Sequence, residues 1–286
     1  MMPSAEFCLG LRTLYIIPSR FGMLWLATAA LLLLVAIQTS SNSSFLIAFL
    51  LLGLMFLAMF LTHDNLQGIT LRCGESWPGF AAEPINYLLV LDSPTARQRL
   101  QLRFQGQAPH QLDYLEAGET RVVLSWTPGQ RGWQLPPRLL LDCVAPLGLF
   151  ICWTRWQPPK PQLIWPARRR GPVHDTSPHR LRDGLDEWND LRPLRPGERQ
   201  ALVDWAGVAK GRPLQVKVFR DPGDAERMLS PSPGLPWDEA LEHLAERIWQ
   251  LHHRGERYGL KLRGRTLAPA SGVRHRDTCL ALLAMA

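Results

Sequence analysis

From Phe21 to Thr62 the chain has no Lys, Arg, Asp or Glu. This absence excludes an amphipathic surface helix, which would show a polar face, and leaves an apolar stretch that water does not solvate. The stretch divides into Phe21 to Ile37 and Phe45 to Leu61, separated by the polar run Gln38-Thr39-Ser40-Ser41-Asn42-Ser43-Ser44. Each half has 17 residues. At about 1.5 Å per residue such a helix is roughly 25 Å long, the short end of what crosses a hydrocarbon core. The expected structure is a two-helix transmembrane hairpin. The first half also lacks a clear small-residue cleavage site and is followed at once by a second span, so a removable secretory leader is not expected.

Other absences narrow the chemistry. The five cysteines, Cys8, Cys73, Cys143, Cys152 and Cys279, form an odd set with no CxxC pair, which excludes a dense disulfide framework and the commoner zinc patterns. Reduced, mostly buried thiols are expected. No GxxxxGK phosphate loop occurs, so nucleotide hydrolysis has no recognisable seat in this chain. The loop between the spans has no charge, whereas Arg12 and Arg20 precede the first span and Arg72 follows the second. By the positive-inside tendency both ends lie in the cytoplasm and the Ser/Asn-rich loop outside.

What is present divides the chain into three parts: a lead and hairpin over 1–62, a β-domain over 63–166 and a mixed unit over 167–286. Residues Met1 to Ser19 read as a short cytoplasmic lead, with Tyr15, Ile16 and Ile17 at the membrane interface. Between Leu66 and Trp165, short apolar runs recur at close spacing. They are Asn86 to Leu91, Leu100 to Phe104, Arg121 to Trp126, Arg138 to Leu141 and Leu149 to Trp153. Leu100, Leu102 and Phe104 alternate with Gln101 and Arg103, the period of a strand with one buried face. Seven or eight such strands with Pro, Gly and Asp between them predict a β-sandwich. Trp126, Trp133, Trp153 and Trp156 are expected as core or sheet-edge aromatics.

Further on, Trp237 to Arg254 repeats apolar residues at three and four, with Asp238 and Glu239 in the first turn and Gly255 beyond the end, which predicts a helix. With short strands at Arg227 to Ser230 and Tyr258 to Leu262 and a last helix from His275 to Met285, the order strand, helix, strand, helix predicts a parallel α/β unit. The fold class is thus α+β: hairpin, β-sandwich, then a truncated α/β unit. Between Lys160 and Arg220 stand 13 Lys and Arg against 7 Asp and Glu, an excess of 6 in a chain of net charge +7. A surplus of this kind suits an acidic protein surface, anionic lipid or nucleic acid.

Several stretches resemble the bacterial membrane proteins grouped as the "domain of unknown function 58" family. They are Arg131-Gly132, then Pro146-Leu147-Gly148-Leu149-Phe150, then Trp165-Pro166. More specific are Leu191-Arg192-Pro193-Leu194-Arg195-Pro196-Gly197-Glu198-Arg199, Val203-Asp204-Trp205 and Ala209-Lys210, leading into Leu214 to Phe219. The pattern is similar to that family's central signature: an extended segment, a Pro-Gly-acid turn, an Arg and an acid-Trp pair before a strand. Glu198 stands where Asp is common, Ala206 where Lys is common and Lys210 where Arg is common. The resemblance implies a truncated von Willebrand factor A-like unit at the C-terminal side. It also implies an adaptor in the bacterial inner membrane that works with a MoxR-type AAA+ ATPase and a transglutaminase-like membrane protein. Arg192, Arg195, Pro196, Gly197, Glu198, Arg199, Asp204, Trp205 and Lys210 are the candidate partner-binding residues, with a braced structural turn as the alternative.

No metal or other cofactor is expected. Metal-binding units of the von Willebrand type place Asp-x-Ser-x-Ser after the first strand, where hard oxygens hold a divalent ion. Here the spacing is filled by Met228-Leu229-Ser230-Pro231-Ser232, with methionine in place of the acid. Two further readings remain open. One is a thiol hydrolase centred on Cys152 with His174 or His179 and Asp183, although Cys152 lies in an apolar run where burial makes a thiol inert. The other is binding of anionic lipid or nucleic acid through the 160–220 segment, which contains Arg168-Arg169-Arg170 but no recognised nucleic-acid module.

Overall fold

The computed structural model describes residues 6–175 and 227–286, short strands at 191–193 and 215–217, and the single positions Val208 and Pro213. The chain forms two compact units, one closing at Ala167 and the other opening at Arg168. The architecture is α+β, with two long apolar helices and several antiparallel sheets.

In the first unit, the lead is not a free tail. It forms strands β1 (Glu6–Cys8) and β2 (Tyr15–Pro18), and only then do helices α1 (Arg20–Thr39) and α2 (Asn42–Asp64) follow. The chain returns through β3 (Thr70–Ser76), β4 (Gly79–Phe80), β5 (Ile85–Ser93), β6 (Arg97–Phe104), β7 (His110–Leu115) and β8 (Gly118–Trp126). It ends with β9 (Gly132–Gln134), β10 (Leu139–Cys143), β11 (Phe150–Trp156) and β12 (Gln162–Trp165). Two antiparallel sheets result, ordered β1-β3-β5-β8 and β2-β11-β10-β6-β7, with a small third sheet β4-β12-β9. β1 and β2 each lie at the edge of one sheet, so the helical hairpin is an insertion between two strands of the sandwich. Expecting a lead outside the β-domain was incorrect. β2 carries Tyr15, Ile16 and Ile17 into register with Trp153, Cys152 and Ile151. The signal was hard to see because strands this short have almost no period.

The alternation read at Leu100 to Phe104 is present: Leu100, Leu102 and Phe104 are buried in one core with Leu141 of the paired strand β10 and Leu89, Leu91 and Leu124 of the other sheet. Trp126 and Trp156 belong to this core, with the Trp126 indole donating to Gln162 Oε1 at 3.0 Å, whereas Trp133 is 60% exposed. A buried indole that finds its acceptor avoids the penalty of an orphaned donor.

The hairpin is held by small residues. Gly22, Ala29 and Ala36 recur every seventh position on α1 and are its buried residues, as Ala48, Ala58 and Thr62 are on α2; of these, Gly22 and Ala58 lie against Leu149 of the sandwich. Such a stripe lets backbones approach closely where no hydrophobic force acts between helices. The Trp25 indole donates across the pair to Leu51 O at 3.1 Å. The outer surfaces are apolar and exposed: of the most apolar window only 17% is buried in α1 and 22% in α2. A soluble core helix would be mostly covered. Both helices are long and apolar enough to cross a membrane.

The second unit has a sheet ordered β13-β16-β17-β18, from β13 (His174–Asp175), β16 (Arg227–Ser230), β17 (Tyr258–Leu262) and β18 (Arg265–Ala270). Helix α3 (Trp237–His253) joins the parallel pair β16 and β17, and α4 (Val273–Met285) closes the unit. Strand β18, unread in the sequence, pairs antiparallel with β17. The core is formed by Leu229, Leu260, Leu241, Leu244, Ile248, Leu280 and Leu283. Strands β14 (Leu191–Pro193) and β15 (Gln215–Lys217) pair antiparallel, with Arg192 opposite Val216.

The small-residue stripe yields a test. Ala29→Leu overpacks the helix pair and should cost about 1–3 kcal/mol, whereas Leu31→Ala on the exposed face should cost far less. Unfolding in detergent of both variants checks the order, and equal losses would mean that the stripe is not the contact.

Candidate functional site

Both ends of the hairpin are fastened to the sandwich by side-chain hydrogen bonds. At the first end, the Ser19 hydroxyl donates to Gly148 O at 2.5 Å and accepts from Gly22 N at 2.9 Å, capping α1. Ser19 N donates to Leu149 O at 2.8 Å. A serine cap satisfies one of the orphan amides that open a helix. Here it also links the helix to the turn before β11. Gly22 is required by space rather than by backbone freedom, since a Cβ there would collide with the carbonyl oxygen of Leu149.

At the second end, Arg97 reaches from β6 into the last turn of α2. Its guanidinium donates to Asp64 O at 2.5 Å and Gln67 O at 2.8 Å, and stands 3.5 Å from Asp64 Oδ2. Its side chain is only 8% exposed. A cation at a helix C-terminus meets the negative end of the dipole and the unpaired carbonyls together. Asn65 adds a two-way clasp, donating from Nδ2 to Gln98 O at 2.8 Å and accepting from Gln98 N at 3.2 Å. Leu9 N to Ile69 O and Gly68 N to Leu9 O, at 2.9 and 2.8 Å, tie the exit to the segment after β1. Nothing in the spacing of Arg97 marks it in the sequence, because the partner carbonyls are about thirty residues away.

The orienting charges are placed unequally. Arg72 lies among Glu6, Asp92 and Glu119 at 3.1, 3.8 and 3.3 Å on the outer face of its sheet. Arg12 and Arg20 are exposed, with Arg20 in the first turn of α1.

Of the candidate partner-binding residues, Arg192 falls in β14. Arg195, Pro196, Gly197, Glu198, Arg199, Asp204, Trp205 and Lys210 lie outside the described residues, as do His179 and Asp183. The basic run Arg168 to Arg170 lies along α3. Arg169 and Arg170 stand 3.6 and 3.9 Å from Glu242 and Glu246, and the Arg168 guanidinium sits 5.0 Å from the centre of the Trp249 ring. Part of the basic excess is therefore answered within its own unit.

The loop compared above with a metal site begins at the end of β16. Met228 lies against Gly259, where an added Cβ would meet its sulfur at 2.9 Å, and Ser230 Oγ donates to His174 O at 3.3 Å. An open cleft of about 520 Å³ here is lined by His174, Met228, Ser230, Lys261, Leu262, Arg263 and Gly264. Its ionisable groups are basic, the wrong sign for a divalent ion. No cluster of metal-ligating side chains occurs among the described residues.

Cys152 is fully buried in the sandwich core, and burial raises its thiol pKa to about 11. Cys143, hydrogen-bonded by Asn65 Nδ2 at 2.8 Å, is raised in the same direction by burial, and Cys279 in the second unit is pushed up to about 12. At neutral pH these sulfurs keep their protons, so none is a ready nucleophile. Cys8 is exposed. No family model and no curated protein matches the chain.

Two outcomes are expected. Arg97→Leu orphans the carbonyls of Asp64 and Gln67 at about 1–3 kcal/mol each, so its unfolding midpoint in detergent should fall well below that of Arg103→Leu, which loses only a half-exposed pair. Alkylation of the native protein at mildly alkaline pH should modify Cys8 first and leave Cys143, Cys152 and Cys279 intact until denaturant is added. Mass spectrometry of the digested protein checks this, and rapid native modification of Cys152 would contradict it.

Proposed function

We propose that this chain is a membrane-anchored adaptor, its hairpin crossing the bacterial plasma membrane and its two units standing in the cytoplasm. The observation that carries the reading is that the hairpin is inserted between β2 and β3 and fastened at both ends, by Ser19 and Gly22 at one and Arg97 and Asn65 at the other. A flexible tether would only localise a domain. A clasped hairpin fixes its orientation to the bilayer, which is what a platform for other proteins requires. Exposed Arg12, ahead of the hairpin in sequence, and Arg20, in its first turn, with an uncharged loop at its far end, support the cytoplasmic side.

The partners follow from the resemblance to the "domain of unknown function 58" proteins: a MoxR-type AAA+ ATPase, which would supply nucleotide hydrolysis, and a transglutaminase-like membrane protein. The second unit, with its parallel β16 and β17 joined by α3, is in keeping with a truncated von Willebrand factor A-like domain. Docking is assigned to the stretch from Arg192 to Lys210, where the family-like turn and part of the basic excess coincide.

Affinity capture from detergent extract tests both the partners and the surface. Wild-type protein should retain an AAA+ ATPase, and Arg195→Glu with Arg199→Glu should lose it without lowering the unfolding midpoint. Binding should weaken with salt, because exposed charges are screened over about 8 Å at physiological ionic strength. Capture that is unchanged by the double reversal would move the docking site elsewhere, and a reporter after Ala286 that behaves as periplasmic would reverse the orientation.

A further inference from the structure

The outer face of β2 and β11 is graded in chemistry along the direction that leads into α1. Nearest the helix, Ile17 lies opposite Ile151 and is 49% exposed, and Leu147, in the turn that receives the Ser19 hydrogen bonds, is 42% exposed. One rung away, Tyr15 lies opposite Trp153, their rings stacked at 4.9 Å, with Tyr15 56% exposed. One rung further, the Arg155 guanidinium lies 4.7 Å from the centre of the Trp153 ring.

Aliphatic, aromatic, cation is the order of environments met on leaving a bilayer: acyl boundary, carbonyl and glycerol region, phosphate layer. At about 3.3 Å per residue, Tyr15 lies about 10 Å along the strand from Pro18, comparable to the depth of a headgroup layer. A soluble sheet edge has no reason to expose isoleucine, leucine and tyrosine together in this order. The acid facing this surface is Asp142, opposite Trp153 on β10. It is half-buried and stands 3.8 Å from Arg103, whose opposite charge partly offsets its own; burial raises its pKa.

We infer that this face, from Leu147 and Ile17 to Arg155, is a lipid-contacting surface that seats the foot of the sandwich in the headgroup layer, with Arg155 engaging anionic phosphates. It rests on the spanning reading of the hairpin. The two reinforce each other: the Ser19 cap sets the height of β2 above α1, and the graded face sets where the headgroups stop.

The test uses full-length Cys8→Ser protein carrying spin labels at single sites: Leu34→Cys on the hairpin, Ile17→Cys and Leu147→Cys on the proposed surface, and Val123→Cys on the exposed face of the other sheet. Each is reconstituted in phosphatidylcholine vesicles with and without phosphatidylglycerol, and access of oxygen and of a water-soluble nickel chelate is measured by power saturation. The label at 34 should be open to oxygen and closed to nickel, and the label at 123 the reverse. Labels at 17 and 147 should be severalfold less open to nickel than the label at 123. Phosphatidylglycerol should deepen that protection, and Arg155→Gln should remove the increment. If 17 and 147 are as open to nickel as 123 while 34 stays protected, the hairpin spans but the surface inference is overturned. If 34 is also open to nickel, the spanning reading and the inference fall together. Protection that is indifferent to phosphatidylglycerol would overturn the role given to Arg155.

Discussion

The buried guanidinium of Arg97, against the Asp64 carbonyl that ends α2 and the Gln67 carbonyl just beyond it, is the contact on which the rest of the first unit depends. A helix of 23 residues, apolar from Phe45 to Leu61, ends there, and its dipole and orphan carbonyls must be answered. Arg97 answers them from inside the sandwich, at the start of β6, so the same charge closes the helix and fixes it to the sheet. Removing it would leave a helix end without acceptors satisfied and a sandwich without its second fastening. The serine cap on α1 does the complementary job at the positive end, where a hydroxyl suffices because the first amides need only an acceptor.

With two fastenings, rotation of the hairpin relative to the sandwich requires breaking one of them, and this gives the graded face of β2 and β11 its meaning. A surface on a freely hinged domain would meet the bilayer at random. Held at a set height and angle, the same residues would face one layer of it. The second unit follows a different logic. Its arginines are drawn into local contacts with Glu242, Glu246 and Trp249, while Lys261 and Arg263 line an open cleft. The buried thiols belong to packing: each lies in a core whose low polarity favours the neutral sulfur.

The hairpin was legible because the absence of charge over Phe21 to Thr62 is a long and redundant signal. The strands at Asn86 to Leu91, Leu100 to Phe104, Arg121 to Trp126, Arg138 to Leu141 and Leu149 to Trp153 were legible as short apolar runs, and helix α3 from its repeat at three and four. The strands β1, β2, β9 and β18 were not, because three to six residues carry too little period and their pairing partners are distant in sequence. Reading Tyr15 to Ile17 as interfacial residues and placing them in a sheet edge draw on the same composition; the sequence carries the composition but not the pairing. The fastenings were invisible for a related reason. Nothing in the sequence marks Ser19, and its bond to Gly148 spans a separation of 129 residues. Arg97 reads as a surface arginine until the helix end is placed beside it.

The central claim is that hairpin and sandwich move as one body. The most direct measurement is the distance distribution between a spin label at Ser43, in the loop at the far end of the hairpin, and one at Val123 on the sandwich, in protein reconstituted in nanodiscs. A single narrow distribution, broadened when Arg97→Leu is introduced, is the result expected of a hairpin clasped at both ends. A broad or multiple distribution in the wild-type protein would show that the hairpin swings on a hinge and would contradict the account.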